Sequence, residues 1–376
     1  MTSRAFHRRL VAGALSVTMA CVLGACDPSS PDGADGKTGS EGPPALGVED
    51  TSTVVTDSDG DLWPNCWSDD DALYAANGDG AGFGLRSADV VVNRITGSPD
   101  DGDLEGEQLS VRDDVGQVWN EGATRKPTGM LCTGGSMYLA VQDLQEGFNA
   151  APSATIARSD DHGRSWTWDT EKPMFDDGVF TTLWFVDYGK EGADSPDPDH
   201  AYVFGLDGNW RDSYDDSAPD PTDLFLARVP TDSVQDLSTW EFYSGRAGGT
   251  PRWDADIEAK QPVLSDDRTV RGKTVLSQGG VTYLPEKDSY VYTSWTEQSF
   301  EFYRAPEPWG PWERMGSTDF GEYPWTEDRY GGYGLTIPSK FLGEGDSSGW
   351  LQSNVCPCAP AGVSSYQFGL RKVDLT

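Results

Sequence analysis

Ala154-Thr155-Ile156-Ala157-Arg158-Ser159-Asp160-Asp161-His162-Gly163-Arg164-Ser165-Trp166 is the stretch that decides the fold. It opens with a short, partly β-branched run ending on arginine, passes through an Asp/Gly turn, and reaches a tryptophan where the next strand begins. The arginine-ended run recurs as Val90-Val91-Val92-Asn93-Arg94, Phe225-Leu226-Ala227-Arg228, Glu301-Phe302-Tyr303-Arg304 and Phe368-Gly369-Leu370-Arg371. Successive arginines lie 64, 70, 76 and 67 residues apart. Before each, by 12 to 26 residues, stands a strand centred on an aromatic: Leu73-Tyr74-Ala75, Met137-Tyr138-Leu139, Ala201-Tyr202-Val203, Val291-Tyr292-Thr293 and Gly349-Trp350-Leu351. Trp119, Trp166, Trp240 and Trp312 follow the first four arginines.

A few-stranded unit repeated at this period cannot bury its apolar face alone, but stacking copies around an axis buries every sheet and leaves only short edges. Long amphipathic helical patterns are absent from Thr51 onward, where short aromatic and β-branched runs alternate with Gly, Pro, Asp and Asn. The expectation is an all-β chain forming a five-bladed β-propeller over 51–376, with the tryptophans between blades. A sandwich or jelly roll does not account for five similar units.

Residues 1–25 read as a lipoprotein signal peptide: Arg4, Arg8 and Arg9 precede an apolar run, Leu10 to Leu23, that is too short to span a bilayer. Leu23-Gly24-Ala25-Cys26 resembles the bacterial lipobox, in which the signal is cut before a cysteine that carries lipid. Residues 26–50 then form the lipidated Cys26 and a flexible tether rich in Pro, Gly, Ser and Asp. The expected location is the outer face of the cell membrane, held there by the lipid alone. Four further cysteines, Cys66, Cys132, Cys356 and Cys358, predict two disulfides in an exported protein, with the connectivity open. A zinc site is disfavoured by the Cys356-Pro357-Cys358 spacing and by the lack of a histidine near Cys66 or Cys132.

The chain has 28 basic and 62 acidic residues, and loss of residues 1–25 removes three arginines, leaving 25 − 62 = −37. Such a charge disfavours electrostatic binding to nucleic acid or an anionic membrane, and leaves neutral sugars, cations and basic partners. Past the signal the only histidines are His162 and His200, so a Ser-His-Asp mechanism is poorly supplied, whereas paired carboxylates are abundant. No G-x-x-x-x-G-K-[ST] phosphate loop is present.

In a propeller the start of each innermost strand and the loop leaving each second strand open on one face. Five residues beyond the repeated tyrosines stand Asp79, Asp143, Asp207 and Glu297, and four beyond Trp350 stands Asn354. The approach to the first inner strand adds Asp57, Asp59 and Asp61, then Trp63 and Trp67; Arg125 and Lys126 lead into the second blade, Asp176 and Asp177 into the third. Crowded carboxylates, flat apolar rings and glycines make the chemistry of a sugar or cation site. Asp57-Ser58-Asp59-Gly60-Asp61 admits calcium, although Leu62 and Ser68 break the EF-hand pattern. No metal or cofactor is expected, with calcium the alternative.

Ser159 to Trp166 resembles the Asp-box of sialidases, S-x-D-x-G-x-x-W, which implies a propeller hairpin and little about catalysis. Ser58-Asp59-Gly60-Asp61-Leu62-Trp63-Pro64, Gly78-Asp79-Gly80, Leu226-Ala227-Arg228-Val229-Pro230, Trp240-Glu241-Phe242 and Pro308-Trp309-Gly310-Pro311-Trp312 resemble the exported bacterial propellers of the DUF4185 type, related to D-arabinanases. The resemblance implies a site at Asp59 and Asp79. The expected function is a surface-anchored glycoside hydrolase, endo-D-arabinofuranosidase-like, acting on a furanose-containing cell-envelope polysaccharide. Asp59, Asp79 and Asp207 are the expected catalytic carboxylates. Asp61, Trp63, Trp67, Asp143, Trp210, Glu297 and Asn354 are the expected substrate contacts. A non-catalytic glycan- or protein-binding propeller lipoprotein is the alternative, and a monomer is expected in either case. Cys26→Ser should abolish metabolic labelling with fatty acid, and persistent labelling of that variant would contradict the lipoprotein reading.

Overall fold

Tyr74 pairs with Arg94, Tyr138 with Arg158 and Tyr202 with Arg228 across neighbouring antiparallel strands, which is why the two elements recur together. In the last two repeats the register slips by one: Arg304 faces Val291 and Arg371 faces Leu351. The computed structural model describes residues 46–376 apart from 112, 113, 118, 149, 209–218, 358, 361, 364 and 365.

The strands run as successive antiparallel meanders. In the first, Asp59–Asp61 and Asn65–Trp67 both pair with Leu73–Gly82, followed by Val91–Thr96 and Glu105–Val111. Ala123–Thr133, Ser136–Gln145 and Ala154–Ser159 make the second, whose outer edge is touched by a bridge between Arg158 and Thr167. The third is Thr182–Asp187, His200–Leu206, Asp223–Pro230, Glu241–Ala247 and Thr250–Asp254. The fourth is Gly280–Leu284, Ser289–Thr296, Ser299–Ala305 and Glu313–Asp319, joined to the third by the parallel pairs Val186–Val281 and Asp187–Thr282. The last, Tyr333–Thr336, Ser348–Asn354 and Gly369–Asp374, is completed by Val54–Val55 from the start of the fold. This is a β-propeller, with blades built as such meanders.

Its core lies in the seams between meanders. Tyr74, Val92, Met130 and Leu139 fill the first seam, and Ile156, Phe180, Val203 and Trp240 the second. Phe204, Leu226, Tyr292 and Tyr303 fill the third, Phe300, Phe302, Leu335 and Leu351 the fourth. Trp63, Leu73, Trp350 and Leu370 join the last meander to the first. A sheet packed on both faces needs apolar residues in both directions, and Ser289–Thr296 is accordingly buried at every position. Trp240 meets Phe175 edge-on at 5.2 Å and donates its ring N–H to Val234 O at 3.1 Å, so a blade-filling tryptophan also satisfies its one polar atom.

The folded region begins before residue 51. Leu46 is buried in the fourth seam, Val48 bridges Val373, and Asp50 pairs with Arg329 at 2.6 Å, so residues 46–50 belong to the fold. Two apolar residues in a Gly/Pro-rich stretch are too weak a signal to read as packing, and only the partner strand supplies the reason. Cys26 lies outside the described residues.

Cys66 and Cys132 form a disulfide across the first seam, with Cα atoms 5.5 Å apart and both residues buried. Cys356 is disulfide-bonded as well, and Cys358 lies outside the described residues. The Cys66–Cys132 bridge closes a loop of 66 residues, so the double replacement by alanine should lower unfolding free energy. A loss of about 2–4 kcal/mol in denaturant titration is expected, and unchanged stability would contradict it.

Candidate active site

Two irregularities in the first blade create the site. Asp59 pairs with Gly82 and Asp61 with Gly78, so the register shifts between them, and both carboxylates are carried to the end of Leu73–Gly82 from which Asp79 also projects. A Cβ on Gly78 would lie 2.7 Å from Asp61 Oδ1, so only glycine lets the strand pass the carboxyl. The chain then turns through two left-handed residues, Leu62 (φ 71°) and Trp63 (φ 52°), and Asp79 itself has φ 48°. A left-handed conformation is uncommon for non-glycine residues and strained for a bulky one such as tryptophan.

Asp61 is the centre of the cluster. The Tyr333 hydroxyl donates to its Oδ2 at 2.9 Å, and the Tyr366 hydroxyl also hydrogen-bonds the carboxyl. Its Oδ1 is buried without a hydrogen-bond partner among the described residues. Burial pushes the Asp61 carboxyl up from its ordinary 3.8 to about 6; the Lys126 ammonium opposes that rise, and the nearby Asp79 charge adds to it. Burial, then the Asp61 charge, raises both tyrosine hydroxyls, so they remain donors across the physiological range. Lys126, itself buried, makes an ion pair with the half-exposed Asp79 carboxylate. Asp59 is exposed and accepts the Ala81 N–H at 3.1 Å.

The structure thus brings together Asp59, Asp61, Asp79 and Lys126, and gives the other expected residues different partners. Asp207 accepts the Phe180 N–H at 2.8 Å and pairs with Lys260 at 3.2 Å, within the third blade and its outer turn. Asp143 is buried, and its Oδ2 accepts the N–H groups of Trp119 and Asn120, both at 2.7 Å, so it fixes a loop. Asn354 is buried beside the cluster, paired with Tyr333 across the last meander, and donates to Gln367 O at 2.8 Å and Gly60 O at 3.5 Å, so it supports the segment between Asp59 and Asp61. Trp63, expected as a sugar platform, is fully buried between Phe83 and Phe368 and donates to Gly60 O, so it offers no face to a ligand. Trp67 lies at the far end of the same strand pair, beside Leu73, and packs under Lys190 and Lys340. Glu297 is exposed and lines a cavity beside Tyr333. Trp210 lies outside the described residues.

Tyr333 and Tyr366 are site residues that the sequence reading did not name. A signal for Tyr333 existed: it begins the innermost strand of the last blade, after Tyr330-Gly331-Gly332, and inner-strand starts face the site. Tyr366 sits in an irregular segment, tied to the site by its carbonyl accepting the Gly60 N–H at 3.0 Å. Among the described residues the one group placed to share a metal ion is Asp69, Asp70 and His162, beside Trp67 and away from Asp61. It is already engaged, since Arg94 pairs with Asp70 and His162 with Asp69.

With the fold and this cluster described, the chain can be placed: residues 50–343 match the domain of unknown function DUF4185, and the protein belongs to that family. No curated protein matches it. Among solved structures it is similar to a "putative hydrolase" from Bacteroides ovatus ATCC 8483, with TM-score 0.52 and 13% identity over 85% of this chain and 87% of that one. That likeness shows a shared fold. The GH43_1 enzyme from Xanthomonas citri complexed with xylotriose follows at TM-score 0.47, 14% identity, 86% of this chain and 88% of that one. A GH62 hydrolase in complex with xylotriose is similar at TM-score 0.48, 12% identity, 86% and 96%.

Between 3.8 and about 6 the folded chain keeps a proton on Asp61 that the unfolded chain has released, so the contribution of this group to stability falls as pH rises through that window. Asp61→Asn removes the dependence. Its Tm relative to the unsubstituted protein should climb from about pH 4 to about pH 6 and level off above, and a flat difference would contradict the raised pKa.

Proposed function

We propose that the protein is an exported, lipid-anchored glycoside hydrolase whose general acid is Asp61 and whose second carboxylate is Asp79. The observation that carries the reading is the state of Asp61: a half-buried residue whose carboxyl is raised to about 6 and whose Oδ1 is enclosed without a hydrogen-bond partner among the described residues. A carboxyl that keeps its proton near neutral pH is what protonation of a glycosidic oxygen requires. Asp79, paired with Lys126 and half-exposed, is supplied for the opposite task, as base toward water or as nucleophile toward the anomeric carbon. In hydrolysis the Asp61 proton goes to the leaving oxygen as the C–O bond breaks, and water supplies the hydroxyl on the anomeric carbon and the proton that restores the site.

Asp61 here takes the role expected of Asp59 and Asp207. Asp59, exposed and bound to Ala81 N–H, fits a substrate contact better than an acid. A furanose-containing cell-envelope polysaccharide is the proposed substrate, supported by the likeness of Ser58 to Pro64 and of Gly78-Asp79-Gly80 to arabinan-cleaving propellers. Surface anchorage is supported by Leu23 to Cys26.

The purified protein incubated with arabinan, with products read by mass spectrometry, should release oligosaccharides. Asp61→Asn and Asp79→Asn should each lower turnover by about 10²-fold or more, the scale of a general acid or base contribution. In the unsubstituted enzyme turnover should fall as pH rises through about 6, because Asp61 then loses the proton it donates. Full turnover in both variants would remove the assignment.

A further inference from the structure

We propose that the cavity lined by Tyr333, Trp325, Tyr323 and Glu297, joined to Asp61 through the Tyr333 hydroxyl, is a subsite for one ring of a neutral sugar next to the bond that is cleaved. The proposal rests on the hydrolase reading in placing that bond at Asp61. The cavity encloses about 250 Å³ and is completed by Gly332, Val355, Cys356 and Ala359. That is below the ~300–1,000 Å³ of drug-sized sites and suits a single sugar ring.

Three features name the occupant. One residue belongs to both places: Tyr333 lines the cavity, and its hydroxyl donates to Asp61 Oδ2 at 2.9 Å, so a sugar ring held here is one side chain away from that carboxyl. The walls are mostly apolar, and Tyr323 and Trp325 stand edge to face at 5.6 Å, with Tyr323 46% exposed. Flat rings of this kind, with one carboxylate residue in the same lining, match a sugar, which has an apolar C–H face and a rim of hydroxyl donors. The charge excludes acidic sugars, because Glu297, Glu322, Glu327 and Asp328 are exposed on or around the loop.

The loop carrying the rings is anchored independently of them. The buried Arg371 guanidinium donates to Tyr330 O at 3.0 Å and Gly331 O at 3.2 Å, and Arg329 pairs with Asp50. Truncating Tyr323 or Trp325 therefore leaves the base of the loop held.

The test is calorimetric binding of neutral arabino-oligosaccharides to the Asp79→Asn protein, alone and combined with Tyr323→Ala, Trp325→Ala or Trp325→Phe, with a uronic-acid oligosaccharide as the charged comparison. The two alanine variants should each weaken neutral binding by about tenfold, Trp325→Phe should keep most of it, and the uronate should not bind. With Asp79 intact, the alanine variants should raise KM by a similar factor and change kcat little. Unchanged affinity and KM in both alanine variants, equal binding of the uronate, or no neutral binding at all would each overturn the subsite. Loss of affinity in the alanine variants while no protein turns over substrate would support the subsite and sink the hydrolase reading alone.

Discussion

The structure depends on burying both faces of every sheet. A single meander of Tyr-, Phe- and Val-rich strands exposes apolar residues on two sides, and each seam hides one of them against a neighbour. The seams continue until the last meander meets the first, where Trp350 and Leu370 pack against Leu73 and Ile95, and Val54–Val55 pairs with Gly369–Leu370. Closing the ring in this way gathers the starts of inner strands and the ends of second strands, so residues as far apart in sequence as Asp61 and Tyr333 become hydrogen-bond partners.

The fold was legible because its signal repeats. Tyr74–Arg94, Tyr138–Arg158 and Tyr202–Arg228 are cross-strand pairs, so one contact leaves two marks in the sequence in the same order each time, and the recurrence separates it from chance. The disulfide partner of Cys66 had to wait for the structure, because pairing depends on which inner strands become neighbours. The start of the folded region was misplaced for a similar reason, since Leu46 and Val48 find their partners some 300 residues later.

The site was legible in part. The stretch Asp59 to Asp79 and Lys126 were readable as its components, but the role of each was not. Whether a carboxyl faces water or a pocket is decided by the register shift between Asp59 and Asp61 and by two tyrosines from the last turn of the ring. Equivalent positions in the repeats also diverge in use: Asp79 meets Lys126, Asp143 caps a loop, and Asp207 serves Lys260. Trp63 misled because exposure cannot be read from residue type, and a tryptophan beside carboxylates is as useful in a seam as under a sugar.

Burial of one carboxyl is therefore the centre of the functional account, and it is open to direct observation. Carbon-13 NMR of the protein labelled at aspartate Cγ, with the Asp61 resonance assigned by its loss in Asp61→Asn, measures the titration of that group alone. The account predicts a midpoint near 6 for Asp61, and a midpoint at the ordinary 3.8 would contradict it.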